Sequence, residues 1–216
     1  KWDIKSVENK QFNENKLSTV WKNSLFQSII PMGFFSYGGL FAIQTLWAGP
    51  WMIRVSGYTP EESAQGLFLI YFSMLVSFLC WGYFVPKFSK NVNDAIKLLR
   101  IGVPLNLIIL AIIIYLGPKA GSIHWALFIV SSIFLSLTQP AVGMAFSLKN
   151  AGKALTSFNL LIFIGAFFIQ WIIGLIIDAG IAFNLSEIDS FKVAMTFVLI
   201  TSLLSYLFFL RKVKIN

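Results

Sequence analysis

Side chains able to do chemistry are scarce in this sequence, and those inside its apolar runs are amides and hydroxyls. Tyr37, Phe41, Gln44, Ala48 and Trp51 fall at i, i+4, i+7, i+11 and i+14, one face of an α-helix. Ser132, Ser136, Gln139 and Gly143 repeat that spacing, and so do Asn159, Phe163, Ala166, Gln170 and Gly174. An amide in an apolar medium needs a partner, so such faces turn inward, to a neighbouring helix or to a water-filled cavity. Two readings stay open for each residue: interhelical hydrogen bonding, or a place on a ligand wall. Small, aromatic and amide groups together suit a ligand wall. The candidate cavity residues are therefore Tyr37, Gln44, Trp51, Ser136, Gln139, Asn159 and Gln170.

Other chemistries lack their residues. His124 is the one histidine and Cys80 the one cysteine, so no His-based metal cluster, Ser-His-Asp set or intrachain disulfide can be assembled. A glycine-rich phosphate loop is absent. Catalysis draws on clustered titratable groups, and the apolar runs hold none. The expectation is a non-enzyme with neither metal nor cofactor. Proton-driven carriers often use intramembrane carboxylates as relays. Here Glu61 and Asp178 lie near the ends of apolar runs, so a coupling acid is expected elsewhere.

The elements that must position these stripes are visible in the gaps between charges. The 216 residues are 57% hydrophobic and 12% charged, about half the usual charged share of a soluble domain. Six windows contain no Asp, Glu, Lys or Arg: 23–53, 63–86, 101–118, 120–148, 154–177 and 193–210. A bilayer core needs ~20 apolar helical residues, and a charge at its centre costs roughly 2.5–3.5 kcal/mol on insertion scales. Runs such as Leu107–Ile114 do not alternate as barrel strands would. The expected fold class is all-α and integral to the membrane, a six-transmembrane-helix bundle. Its spans are placed at about 25–53, 62–85, 96–116, 122–148, 153–178 and 191–210. Residues 1–23 are a polar cytoplasmic linker or a short interfacial helix, and 211–216 a cytoplasmic tail. Gly38, Gly39, Pro50, Pro104 and Pro140 are expected kink or gating positions. Gly57 can end the first span, with Thr59, Pro60 and Glu62 forming a capping box for the second. Lys149–Lys153 is expected to be a short inner loop.

A net charge of +8 raises the question of nucleic acid, but the positive residues sort by loop. Alternate connections (1–23, 86–100, 149–153 and 211–216) hold 14 of the 17 Lys and Arg, leaving only Arg54, Lys119 and Lys192 for the others. That partition indicates both termini in the cytoplasm and a bilayer, not a nucleic acid, as the partner.

Three segments carry a likeness to a known family: Gly38–Phe41 through Trp47–Trp51 to Gly57–Glu62; Gly82–Lys87; and Gly152–Leu155 with Asn159, Gly165, Gln170 and Gly174. In order and spacing they resemble the C-terminal six-helix half, helices seven to twelve, of the major facilitator superfamily, over residues 24–210. In the second segment the family's acidic position is taken by Pro86, which argues against an acid-based gate there. The resemblance implies one half of a secondary permease working by alternating access in a bacterial cytoplasmic (inner) membrane. Its partners would be an N-terminal six-helix half preceding Lys1, or a second copy, and a small solute of unknown identity. The alternatives are a stand-alone six-helix protein that dimerises as a carrier or pore, and a membrane assembly subunit that transports nothing.

Overall fold

The computed structural model describes residues 17–213; the sequence positions 1–16 and 214–216, and the linker and tail readings placed on them, lie outside the described residues. After a short helix α1 (Leu17–Trp21), six long helices follow: α2 (Ser24–Arg54), α3 (Pro60–Phe88), α4 (Val92–Lys119), α5 (Ser122–Met144), α6 (Leu148–Ala182) and α7 (Glu187–Lys212). Each is long and apolar enough to cross a bilayer. The protein is an all-helical integral membrane bundle.

The tight connection after α2 forms as its residues dictate. Gly57 takes a positive φ of 75°, which glycine adopts without penalty. The Thr59 hydroxyl accepts the Glu62 amide at 3.2 Å, while the Glu62 carboxylate accepts the Thr59 amide at 2.8 Å. Pro60 occupies the first turn, where its missing amide is not needed. Asn91 and Ser186 cap α4 and α7 by accepting the amides of Asp94 and Asp189.

Short connections force antiparallel neighbours, and cross-chain contacts at both ends show the alternation. At one end Arg54 of α2 meets Glu187 of α7 at 3.6 Å, and the Ser56 hydroxyl bonds the Ala120 carbonyl. At the other, Arg100 of α4 donates to the Val213 carbonyl beyond α7. The described part of the basic-rich connections lies at this second end.

One connection, between α5 and α6, differs from expectation. Lys149–Lys153 is not a loop: Leu148 already starts α6, and Gly152 is exposed and helical within it. A single glycine weakens a helix by about 1 kcal/mol, too little to break one of 35 residues. The fourth span correspondingly stops at Met144, not near 148. At about 1.5 Å per residue α6 is ~52 Å long, so it protrudes from a ~30 Å apolar core.

The helices are not uniformly wound. α2 contains π-helical turns at Met32–Tyr37 and Ile43–Trp47 that bracket the Gly38-Gly39 pair. The second precedes Pro50, whose ring would crowd the carbonyl four residues back in a regular α-turn. α5 tightens to a 3-10 segment over Ser132–Leu137, just before Pro140. There the hydroxyls of Ser131, Ser132, Ser136 and Thr138 each donate to the carbonyl three residues earlier. Pro104 leaves its helix α-wound. Lacking an amide, it cannot serve the Arg100 carbonyl, and the Tyr206 hydroxyl of α7 donates there instead at 2.7 Å.

The core lies where α2 and α6 cross. A Cβ on Gly38 would stand 2.7 Å from the Gly165 carbonyl carbon, and one on Gly165 would strike the Phe34 backbone. Only glycine permits that approach. α2 meets α7 through hydroxyls, with Ser36 and Ser205 3.0 Å apart. α3, by contrast, is almost wholly exposed along its most apolar stretch, with Phe68, Phe72, Leu75 and Leu79 facing outward.

Candidate functional site

The second π-turn of α2 shapes the site. The Ala48 amide, which in an α-turn would bond Gln44, bonds the Ile43 carbonyl instead. The Gln44 carbonyl accepts the Tyr71 hydroxyl of α3 at 2.8 Å. A side chain on another helix thus serves the carbonyl that the bulge released. π-bulges of this kind concentrate at functional positions.

Tyr37, Phe41 and Gln44 lie between or at the bulges and share a face as predicted. They line a small cleft of about 30 Å³ with Leu40, Met74, Phe78, Ile129 and Ser132, so α2, α3 and α5 each supply a wall. Tyr37 and Phe41 stack, with ring centroids 5.4 Å apart. Gln44 is only 6% exposed, yet its side-chain amide bonds no other described residue. The same holds for the Tyr37 hydroxyl, on a residue 8% exposed. Neither group is sealed off without a partner, and the cleft beside them has room for a water to serve them.

Trp51 does not join them. Each π-turn adds one residue, so positions beyond Trp47 are rotated by about 100° from the straight-helix face. Trp51 is fully buried, packs edge-on against Trp125 and Phe191, and donates its indole N–H to the Ala120 carbonyl. It belongs to the packing at the Arg54 end.

The remaining candidates pair with one another. Gln139 donates to the Asn159 side-chain carbonyl at 3.1 Å, tying α5 to α6. Gln170 donates to the Thr45 hydroxyl at 2.9 Å, and the Trp47 indole donates to the Gln170 carbonyl, tying α6 to α2. The Ser136 hydroxyl is turned back on Ile133. A second cleft of about 140 Å³, between α2 and α6, is lined by Phe41, Thr45, Phe163, Ala166, Phe167 and Gln170. Phe41 is the partition between the two clefts. Neither is lined by a Lys, Arg, His, Asp or Glu.

Tyr71, Met74 and Phe78 lie outside the polar stripes of the sequence. Their spacing of i, i+3 and i+7 places them on one helical face, and a tyrosine hydroxyl in mid-span was the available signal. Thr45 was missed because it lies one residue off the stripe of Gln44.

No protein-family model, curated protein or solved structure matches this chain. The functional reading therefore stands on the geometry. Among the described residues no group of three His, Cys, Asp or Glu side chains could hold a metal ion. The arrangement can bind, by stacking and neutral hydrogen bonds.

Proposed function

We propose that this chain is the C-terminal six-helix half of a secondary transporter of the major facilitator type, which moves a small solute across the membrane by alternating access. The observation that carries the reading is Gln44: an amide set in mid-span by a π-turn, on a residue only 6% exposed, and facing a three-helix cleft. Helix packing alone gives no reason to retain such a group, since an apolar side chain of similar volume would fill the space with no amide to satisfy.

Two further features support the reading. Thr45 is exposed in mid-span and Gln170 beside it is half-buried, whereas a lipid-facing surface would be apolar. That face suits a second six-helix half, or a second copy, across a water-filled path. The charge partition of the loops favours cytoplasmic termini. The helix irregularities around Gly38, Gly39, Pro50 and Pro140 are the places where α2 and α5 can bend as access alternates. The amide clasps Gln139–Asn159 and Thr45–Gln170 lie towards opposite ends of the bundle and are the contacts such bending would remake.

The test uses full-length protein carrying Cys80→Ser, with Thr45→Cys or Gln139→Cys added singly and together. Alternating access requires that a bulky maleimide wedged at one position slow labelling at the other, by about fivefold or more for a typical coupling. Independent labelling of the two positions would refute the reading.

A further inference from the structure

A third cleft, of about 230 Å³, opens between α2 and α7 and is lined by Pro31, Phe35, Thr201, Leu204, Ser205 and Phe208. Its two hydroxyls are already engaged within α7: Thr201 donates to the Phe197 carbonyl at 2.9 Å and Ser205 to the Ser202 carbonyl at 2.7 Å. The walls therefore offer apolar contact and no free side-chain donor, unlike the face that carries Thr45 and Gln170. Such a surface suits hydrocarbon. An apolar cavity of about 150 Å³ takes a benzene ring, so this cleft accepts a short run of methylenes.

Charge waits at one end of it. Thr201, Leu204, Ser205, Phe208 and Lys212 fall at i, i+3, i+4, i+7 and i+11, one face of α7. That face ends in Arg211 and Lys212, both exposed. The Lys212 ammonium stands 6.0 Å from the Phe208 ring centroid, so its charge is held beside a wall of the cleft. Neither cation pairs with a carboxylate among the described residues. Asp94 is the one described carboxylate at this end, and it accepts the Lys90 amide at the start of α4. From Thr201 to Lys212 the helix rises about 16.5 Å, close to the ~15 Å apolar depth of one leaflet.

We propose that the cleft between α2 and α7 seats one acyl chain of a phospholipid of net negative charge, whose headgroup meets Arg211 and Lys212. The charge partition of the loops makes this the cytoplasmic leaflet. A chain that leaves bulk lipid for the cleft gains no hydrophobic energy, so the cleft sets the position and the two cations set the selectivity. The site does not depend on the carrier reading, since lipid binding requires no transport step.

The experiment is native mass spectrometry of the full-length protein released from detergent micelles containing equal amounts of dioleoyl phosphatidylglycerol and dioleoyl phosphatidylcholine. Each cation near an anionic headgroup is worth about fivefold, so phosphatidylglycerol should be retained about tenfold or more over phosphatidylcholine. Arg211→Gln combined with Lys212→Gln should bring that preference to about twofold or less, while Lys119→Gln at the opposite end leaves it unchanged. Leu204→Trp, which fills the cleft from an exposed position, should lower retention of phosphatidylglycerol with both cations in place. Photolabelling of the unmodified protein with phosphatidylglycerol carrying a diazirine in its acyl chain tests the site without a variant that must fold. Adducts are expected on the segments holding Phe35 or Leu204 and Phe208.

Equal retention of the two lipids, a preference that survives loss of both cations, or adducts spread over other segments would each overturn the proposal. Competition by chain-free glycerophosphoglycerol would overturn it too, because the headgroup alone would then suffice. Lipid binding mapped to this cleft in a protein that moves no solute would keep the site and remove the carrier reading. Solute flux without such binding would do the reverse.

Discussion

Gly38→Ala tests the helix crossing on which the site is built. Its new methyl carbon would stand 2.7 Å from the Gly165 carbonyl carbon and 2.8 Å from the Ala166 nitrogen. Ordinary carbon–carbon contact is about 3.5–4.0 Å, so α2 and α6 must part by roughly 0.8 Å. Both obstructing atoms are backbone, and no side chain can swing aside. A gap of that width forfeits about a quarter to a half of the dispersion energy along the seam, and overpacking of this kind costs ~1–3 kcal/mol. The helix propensity of alanine returns up to about 1 kcal/mol. Gly82→Ala in α3 isolates that second effect, because nothing lies within 4 Å of its added carbon. Reversible unfolding in mixed micelles should show Gly38→Ala less stable than Gly82→Ala by about 2 kcal/mol. Equal stabilities would refute the close crossing and the cleft geometry that depends on it.

Three further outcomes are expected. Tyr206→Phe should destabilise the protein by about 1–2 kcal/mol, since it abandons the Arg100 carbonyl that Pro104 cannot serve. In a Pro104→Ala background, where the new amide can reach that carbonyl, the same change should cost less, and an undiminished loss would rule the explanation out. Gln139→Ala and Asn159→Ala should show a coupling of about 0.6 kcal/mol in a double-mutant unfolding cycle, while each impairs transport more than stability. Strictly additive effects would mean that the pair is not a clasp. In cysteine-accessibility mapping of whole cells, Lys90→Cys and Lys149→Cys should react only from the cytoplasmic side and Phe183→Cys only from outside. The reverse pattern would invert the orientation drawn from the loop charges.

The number of spans and their order were legible because charge is costly in lipid, and its absence from six windows is a property of composition. The Thr59–Glu62 cap was legible because it is built from neighbouring residues. Helix winding was not. Nothing local in Ile43–Trp47 announces a π-turn; it arises from Pro50 downstream together with Tyr71 on another helix. The stripe from Tyr37 to Gln44 therefore held, and its continuation to Trp51 rotated into the core. Amides proved ambiguous for a related reason. Gln139, Asn159 and Gln170 find partners across helices that are distant in sequence, whereas Gln44 finds none among the described residues. Spacing alone does not distinguish a satisfied amide from an available one. The Lys149–Lys153 segment reads as a boundary because it holds lysines and a glycine, yet one glycine costs too little to interrupt a helix of 35 residues.

The most direct test of the carrier reading is flux. Full-length protein reconstituted into proteoliposomes would be screened for uptake of labelled neutral solutes, with and without imposed proton and sodium gradients. Saturable uptake of at least one solute is expected, together with its loss in Gln44→Leu at unchanged protein content. Uptake that never exceeds that of protein-free vesicles, or that persists undiminished in Gln44→Leu, would contradict the account.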